Sequence, residues 1–238
     1  MSENNDIVVE LLICDAVAIK PPQSADKTLS LAERRRLDSI TNVTQARLFL
    51  LGRYLLRQRL SQLLHHDPAA FDISLNNRGK PELASGDWQF NLSHSGSLLA
   101  LALSPRTAVG VDLETRRLDA PRIARLAGRY LAGAEQRRLA NSPHPAHDFQ
   151  QLWTVKEAVL KAEGGGIANN LDRVEWHPGQ PRARFNGQCY RLFQGRLADA
   201  SLTLAVAGEH SRLRRLELAD CMPALEITGP QPNLAINP

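Results

Sequence analysis

Apolar positions recur along this chain at two periods, one suited to strands and one to helices. The apolar run 7–19 reads as a strand, and 71–75, 88–92, 98–103 and 108–114 read as further strands. Positions 42–64 predict a long helix, with Thr41 or Asn42 as its cap and Asp67-Pro68 beyond its end. A short basic helix is expected over 33–37, and others over 122–131 and 134–140. The strongest helical signal is 148–163, where Phe149, Leu152, Trp153, Val159 and Leu160 fall on one face. Gly164-Gly165-Gly166 stops it. Between the strands at 88–92 and 98–103, Ser93-His94-Ser95-Gly96 reads as a polar loop. Beyond 166 the pattern is mostly strand and turn, and the last residues, rich in Pro and Asn, read as a loose tail.

Part of the pattern repeats. Val9-Glu10-Leu11 is echoed by Val111-Asp112-Leu113, Asp72, Gly79 and Pro81 by Asp172, Gly179 and Pro181, and Leu99–Leu103 by Leu202–Val206, all at an offset near 100 residues. The expectation is a mixed α/β (α+β) fold in which two similar halves pack as a pseudo-dimer. The halves would span 1–106 and 107–225, with 226–238 as the tail. A ligand site is expected in the cleft between them.

Composition narrows the class. Hydrophobic residues make up 43%, a globular value. With 29 basic and 25 acidic residues the net charge is +4, too weak to argue for nucleic acid but suited to an anionic ligand or an acidic partner. Cys14, Cys189 and Cys221 stand far apart and odd in number, as reduced thiols of a cytoplasmic protein do. No membrane-spanning run and no secretory leader is read from the sequence.

Asp112 and Glu114 lie two apart on a predicted strand, so both carboxylates share one face. Adjacent carboxylates repel unless a cation sits between them, and oxygen ligands suit Mg²⁺. A solvent-facing acidic strand has the same pattern. Glu157 and Lys161 are helix neighbours four apart, which also describes a surface ion pair. Lys156 falls within the apolar face, where it must snorkel or meet an anion. His94, with its flanking serines, can grip phosphate oxygens or serve the turn. Lys80 sits on a stiff Gly-Lys-Pro turn, and its counterpart in the second half is Gln180, so a single asymmetric anion site is expected. Arg34, Arg35, Arg36, Arg47 and Arg53 make the first half basic.

Taken together, Arg78-Gly79-Lys80-Pro81, Phe90-Asn91-Leu92-Ser93-His94-Ser95-Gly96, Val109-Gly110-Val111-Asp112-Leu113-Glu114 and the block from Trp153 to Lys161 resemble, in order and spacing, the signature blocks of Sfp-type 4′-phosphopantetheinyl transferases. The resemblance implies a magnesium-dependent enzyme that moves phosphopantetheine from coenzyme A to a serine of an apo acyl, aryl or peptidyl carrier protein. It implies Asp112, Glu114 and Glu157 as metal ligands. It implies Lys80, Ser93 and His94 on coenzyme A phosphates, Lys161 on the diphosphate, and Glu157 and Lys161 in catalysis. Arg47 and Arg53 are candidates for the 3′-phosphate. Arg129-Tyr130-Leu131 with Glu135 resembles the family's Arg-Phe-Phe…Glu segment with two aromatics replaced, which bears on carrier preference. A monomer is expected, because one chain supplies both sides of the cleft. The competing readings are a non-catalytic module binding coenzyme A or carrier, and a metal-dependent nuclease.

Overall fold

The opening apolar run forms strand β1 (Ile7–Asp15), which stops where the Asp15 carboxylate accepts a hydrogen bond from Val17 N at 2.9 Å and turns the chain. A computed structural model describes residues 7–166, 170–197, 199–208, 211–217 and 226–228. Helix α1 (Leu31–Asp38) follows, closed by a Ser30/Glu33 capping box. Helix α2 (Val43–Leu64) is capped by Asn42. The short strands β2 (Ile73–Leu75) and β3 (Pro81–Leu83) form a hairpin, and β4 (Trp88–Ser95) and β5 (Leu98–Pro105) form a longer one.

The second half opens with β6 (Val109–Glu114) and the helices α3 (Ala120–Tyr130), α4 (Gly133–Ala140) and α5 (Pro145–Glu163). It closes with β7 (Arg182–Phe185), β8 (Gln188–Leu197), β9 (Ala200–Ala207), β10 (Ser211–Glu217) and β11 (Glu226–Thr228).

The expected pseudo-dimer is visible in the connectivity. In one sheet the order is β10-β1-β5-β4, and in the other it is β11-β8-β9-β6. Each half is thus a strand, a helical crossover and a hairpin whose second strand pairs antiparallel with the first: β1 with β5, and β6 with β9. The turn glycines agree as well, with φ of 82° at Gly79 and 81° at Gly179. Strand β10 leaves its own half and pairs parallel with β1, tying the two halves together. Glu226–Thr228, assigned from sequence to the tail, forms an edge strand on β8, and the rest of the tail lies outside the described residues.

Three apolar cores follow from strand alternation. Leu12 and Cys14 of β1 face α2, whose Leu48, Leu51 and Leu56 cover them. Val9 and Leu11 face the other way and meet Val109, Val111 and Leu113 of β6 between the sheets. Leu152, Val155, Val159 and Leu160 of α5 cover the far side of the second sheet. Helix α5 reaches β6 at Gly110, where an added Cβ would lie 2.1 Å from Ala158 O and 2.3 Å from Ala162 N. Only glycine allows that approach, and the approach brings the helix over the β6 carboxylates.

One expectation is corrected. Ser93-His94-Ser95 is not a loop but the end of β4, and the chain turns only at Gly96, where φ is 59°. A run of polar residues resembles a loop by composition. Here Ser93 and Ser95 are buried against β6, while His94 points away and is exposed.

Candidate active site

The cleft between β4, β6, α3 and α5 encloses about 640 Å³. It gathers Ser93, His94, Asp112, Glu114, Glu157 and Lys161, six of the sequence-predicted site residues. Asp112 is 5% exposed, and its Oδ1 meets Lys161 Nζ at 2.5 Å and accepts from Ser93 Oγ at 3.1 Å. Lys161 also faces Glu157 Oε2 at 3.7 Å. The Ser93 hydroxyl, expected to grip phosphate, accepts from Leu113 N at 3.1 Å and from Lys161 Nζ at 3.2 Å.

Glu114 accepts from Ser95 Oγ at 2.9 Å, from Arg116 N at 2.8 Å and from Arg116 Nη2 at 2.7 Å. Burial alone would raise its carboxyl, but the Arg116 and Ser95 hydrogen bonds hold it below the usual range. Glu157 goes the other way. Burial, then the charge of Asp112, pushes its carboxyl up to about 7, against the opposing pull of Lys161 and Trp153. Although much of the ring is exposed, His94 lines the cleft wall, and partial desolvation there, then the charge of Lys161, lowers its pKa and favours the neutral imidazole, with one ring nitrogen donating and the other accepting.

The remaining predicted residues stand elsewhere. Lys80 donates to Ala162 O at 3.1 Å, at the carbonyl end of α5, and burial lowers its ammonium. Arg47 donates to Val17 O and Ile19 O at 3.3 and 3.1 Å, pinning the segment after β1 onto α2. Arg53 pairs with Glu33 at 3.3 Å. Its Nη1 is buried with no hydrogen-bond partner among the described residues, and the side chain lines a 290 Å³ pocket with Arg36. That pocket adjoins the main cleft through Gln45, Leu92 and His94. Sequence reasoning passed over Arg116, whose position two residues after Glu114 was its only signal, and Gln150, which donates to Glu114 O at 2.7 Å.

The pseudo-symmetry explains why this acidic cleft stands in the second half. A shift of 102 carries Glu10 onto Asp112 and Arg59 onto Lys161. In the first half Arg59 clamps Glu10 with bonds of 2.6 and 2.7 Å, as Lys161 meets Asp112 in the second. The same shift carries Leu12 onto Glu114 and Leu55 onto Glu157, and both leucines are buried in the α2 core. The halves share an acid–base pair between strand and helix, and only the second adds two carboxylates to it.

Such a cleft presents three carboxylates to one space, a donor set that fits a hard cation such as Mg²⁺. Among the described residues no three His, Cys, Asp or Glu side chains are already grouped to hold a metal ion. Asp112 is turned to Lys161 and Glu114 to Arg116. An anionic ligand that draws both cations away would leave these carboxylates free for a metal.

Two consecutive family models match the chain. The 4′-phosphopantetheinyl transferase N-terminal model matches residues 22–106, and the 4′-phosphopantetheinyl transferase superfamily model matches residues 108–207. The chain belongs to the 4′-phosphopantetheinyl transferase superfamily. It is 35% identical over 159 residues to the 4′-phosphopantetheinyl transferase HetI of a Nostoc species, covering 64% of this chain and 66% of HetI. It is 29% identical over 147 residues to the 4′-phosphopantetheinyl transferase of Bacillus subtilis, covering 60% and 64%. A phosphopantetheinyl transferase of a Thraustochytrium species is 30% identical over 167 residues, covering 62% and 57%. The chain therefore spans somewhat under two thirds of the length of these relatives.

Proposed function

We propose that this chain transfers the 4′-phosphopantetheine moiety of coenzyme A to a serine of an apo acyl, aryl or peptidyl carrier protein, releasing 3′,5′-ADP, as a cytoplasmic monomer. The observation that carries this reading is the convergence of Asp112, Glu114, Glu157 and Lys161 on one cleft in a chain of this family. Incubation with apo carrier, coenzyme A and Mg²⁺ should raise the carrier's mass by one phosphopantetheine. No gain with fatty-acid, polyketide and nonribosomal-peptide carriers would favour a non-catalytic binding module.

Asp112, Glu114 and Glu157 would hold Mg²⁺, which when bound neutralises charge on the diphosphate. Lys161 leaves Asp112 to pair with diphosphate oxygens, where its charge opposes the negative charge of the leaving 3′,5′-ADP. Neutral His94 stands between the cleft and the Arg36–Arg53 pocket, and the unpartnered Arg53 Nη1 supports that pocket as the seat of the nucleotide's 3′-phosphate. As the serine oxygen bonds to the β-phosphorus and the bond to the leaving nucleotide breaks, the serine proton passes to Glu157.

Bound Mg²⁺ would favour the Glu157 carboxylate, so Glu157→Gln, which removes both a ligand and the proposed base, should remove most of the transfer rate, read as carrier mass gained with time. Without the metal, the raised carboxyl shows in stability. A carboxyl raised from 4.5 to about 7 on folding binds more protons in the native state, so the metal-free protein loses stability as pH rises across that window. Denaturant titrations of wild type and Glu157→Gln from pH 4.5 to 8 test this. Equal pH slopes would remove the shift.

Carrier docking is assigned to α3. Ile123 and Ala127 bury one stripe of this helix, Leu126 reaches the cleft, and Arg122, Arg125 and Arg129 are exposed on it. An acidic carrier surface fits that row. Arg125→Glu with Arg129→Glu should raise the carrier KM on the order of tenfold while leaving the coenzyme A KM in place. An unchanged carrier KM would put the interface elsewhere.

A further inference from the structure

The two sheets present edge strands to each other, β4 from one and β6 from the other. No backbone ladder joins them among the described residues. Side chains of β4 take the place of the missing strand. Asn91 Oδ1 accepts from Val111 N at 3.0 Å, Ser93 Oγ from Leu113 N at 3.1 Å, and Ser95 Oγ from Thr115 N at 3.0 Å. The donors are two apart, as are the acceptors, and each bond spans 20 residues. Two of the three do more. Ser93 Oγ donates to Asp112 Oδ1 at 3.1 Å, and Ser95 Oγ donates to Glu114 Oε1 at 2.9 Å. Each serine thus accepts from one amide of β6 and donates to the carboxylate one residue before it.

Resting on the transferase reading above, we infer that Ser93 and Ser95 are positioning residues, a seam that fixes the register of β6 and aims Asp112 and Glu114 into the cleft. Antiparallel pairing sends alternate β6 amides to β9, so those of Val111 and Leu113 face away from the ladder, and Thr115, the residue just after β6, continues the alternation. Buried amides without partners are costly. A neighbouring strand at ladder distance would satisfy them but would close the cleft. Side-chain acceptors satisfy them at a greater strand separation, and a hydroxyl retains a proton for the carboxylate. Each serine hydroxyl in the seam is therefore committed on both sides.

Amide hydrogen exchange on the full chain, followed residue by residue, tests the seam without reference to activity. In wild type, Leu113 and Thr115 should be protected to the same degree as Asp112 and Glu114. Ser95→Ala should speed exchange at Thr115 on the order of tenfold, and Ser93→Ala should do so at Leu113. In transfer assays Ser95→Ala should raise the Mg²⁺ concentration giving half-maximal rate several-fold, and Ser95→Thr, which keeps the hydroxyl, should restore it. Rapid exchange at Leu113 and Thr115 in wild type overturns the seam, and that measurement needs no variant to fold. An unchanged Mg²⁺ requirement in Ser95→Ala overturns the positioning role. A wild-type chain that transfers nothing would instead remove the transferase reading, with the amide protection still judging the seam.

Discussion

Asp112→Ala is expected to abolish phosphopantetheine transfer while the protein still folds. Asp112 stands where the chain's functional contacts meet: its Oδ1 takes both Lys161 and Ser93, and its charge is the second cause, after burial, of the raised Glu157 carboxyl. Removing it takes away one of the three oxygen ligands proposed for Mg²⁺ and leaves Lys161 to pair with Glu157, the residue proposed as base. A lysine held by the base opposes deprotonation chemistry there, so the loss compounds. The fall in kcat should be at least about 10²–10³-fold, the range for deleting one group that stabilises a transition state. Folding should survive because Lys161 is 19% exposed and keeps a carboxylate at 3.7 Å, so no buried charge is stranded. Carrier mass measures the first effect and circular dichroism with a thermal melt the second. Near wild-type transfer with Mg²⁺ would remove Asp112 from the metal site.

The parts of this arrangement that were legible in sequence are those encoded within one element. Period two puts Asp112 and Glu114 on one face of β6, and the helical period sets Glu157 beside Lys161. The echo of Val9-Glu10-Leu11 in Val111-Asp112-Leu113 likewise reflects two strands that open equivalent halves. What stayed hidden depends on a neighbour far along the chain. The alternation of Asn91, Ser93 and Ser95 is a strand pattern, yet its buried face is polar, and only the amides of β6 make sense of that. Lys80 was placed by its motif and stands at the end of α5, because a turn's position against a distant helix is not written in the turn. The parallel pairing of β10 with β1 joins segments some 200 residues apart.

Lys156→Met is expected to cost about 3–5 kcal/mol of stability, the range for removing one partner of a buried ion pair. The sequence left two outcomes for this lysine, snorkelling or an anion, and it takes the second. It is 0% exposed, with Nζ 2.9 Å from Glu135 Oε1, 2.7 Å from Leu171 O and 2.8 Å from Val174 O. An ammonium has three donors, so all are used. Burial lowers its pKa, and Glu135 works to restore it. Methionine keeps most of the stem's volume but takes the lysine donor from the Glu135 carboxylate, itself 8% exposed, and from the carbonyls of Leu171 and Val174, of which Leu171 O keeps Val174 N at 3.3 Å. Glu135 cannot simply swing out to water, because its Oε2 accepts from Ala132 N at 2.9 Å and closes the first turn of α4. Glu135→Gln combined with Lys156→Met removes the stranded charge and keeps that cap, so the double variant should be more stable than Lys156→Met alone. A domain stable by roughly 5–15 kcal/mol would lose about a fifth of that or more in the single variant, with a Tm lower by on the order of 10 °C. Urea melts of wild type, both single variants and the double give the coupling energy directly. A single variant within about 1 kcal/mol of wild type would mean that Glu135 finds another partner. The lysine's location explains why the cost is structural and not chemical: it lies one residue before Glu157 but turned out of the cleft, joining α5 to α4 and to the turn at Leu171–Arg173.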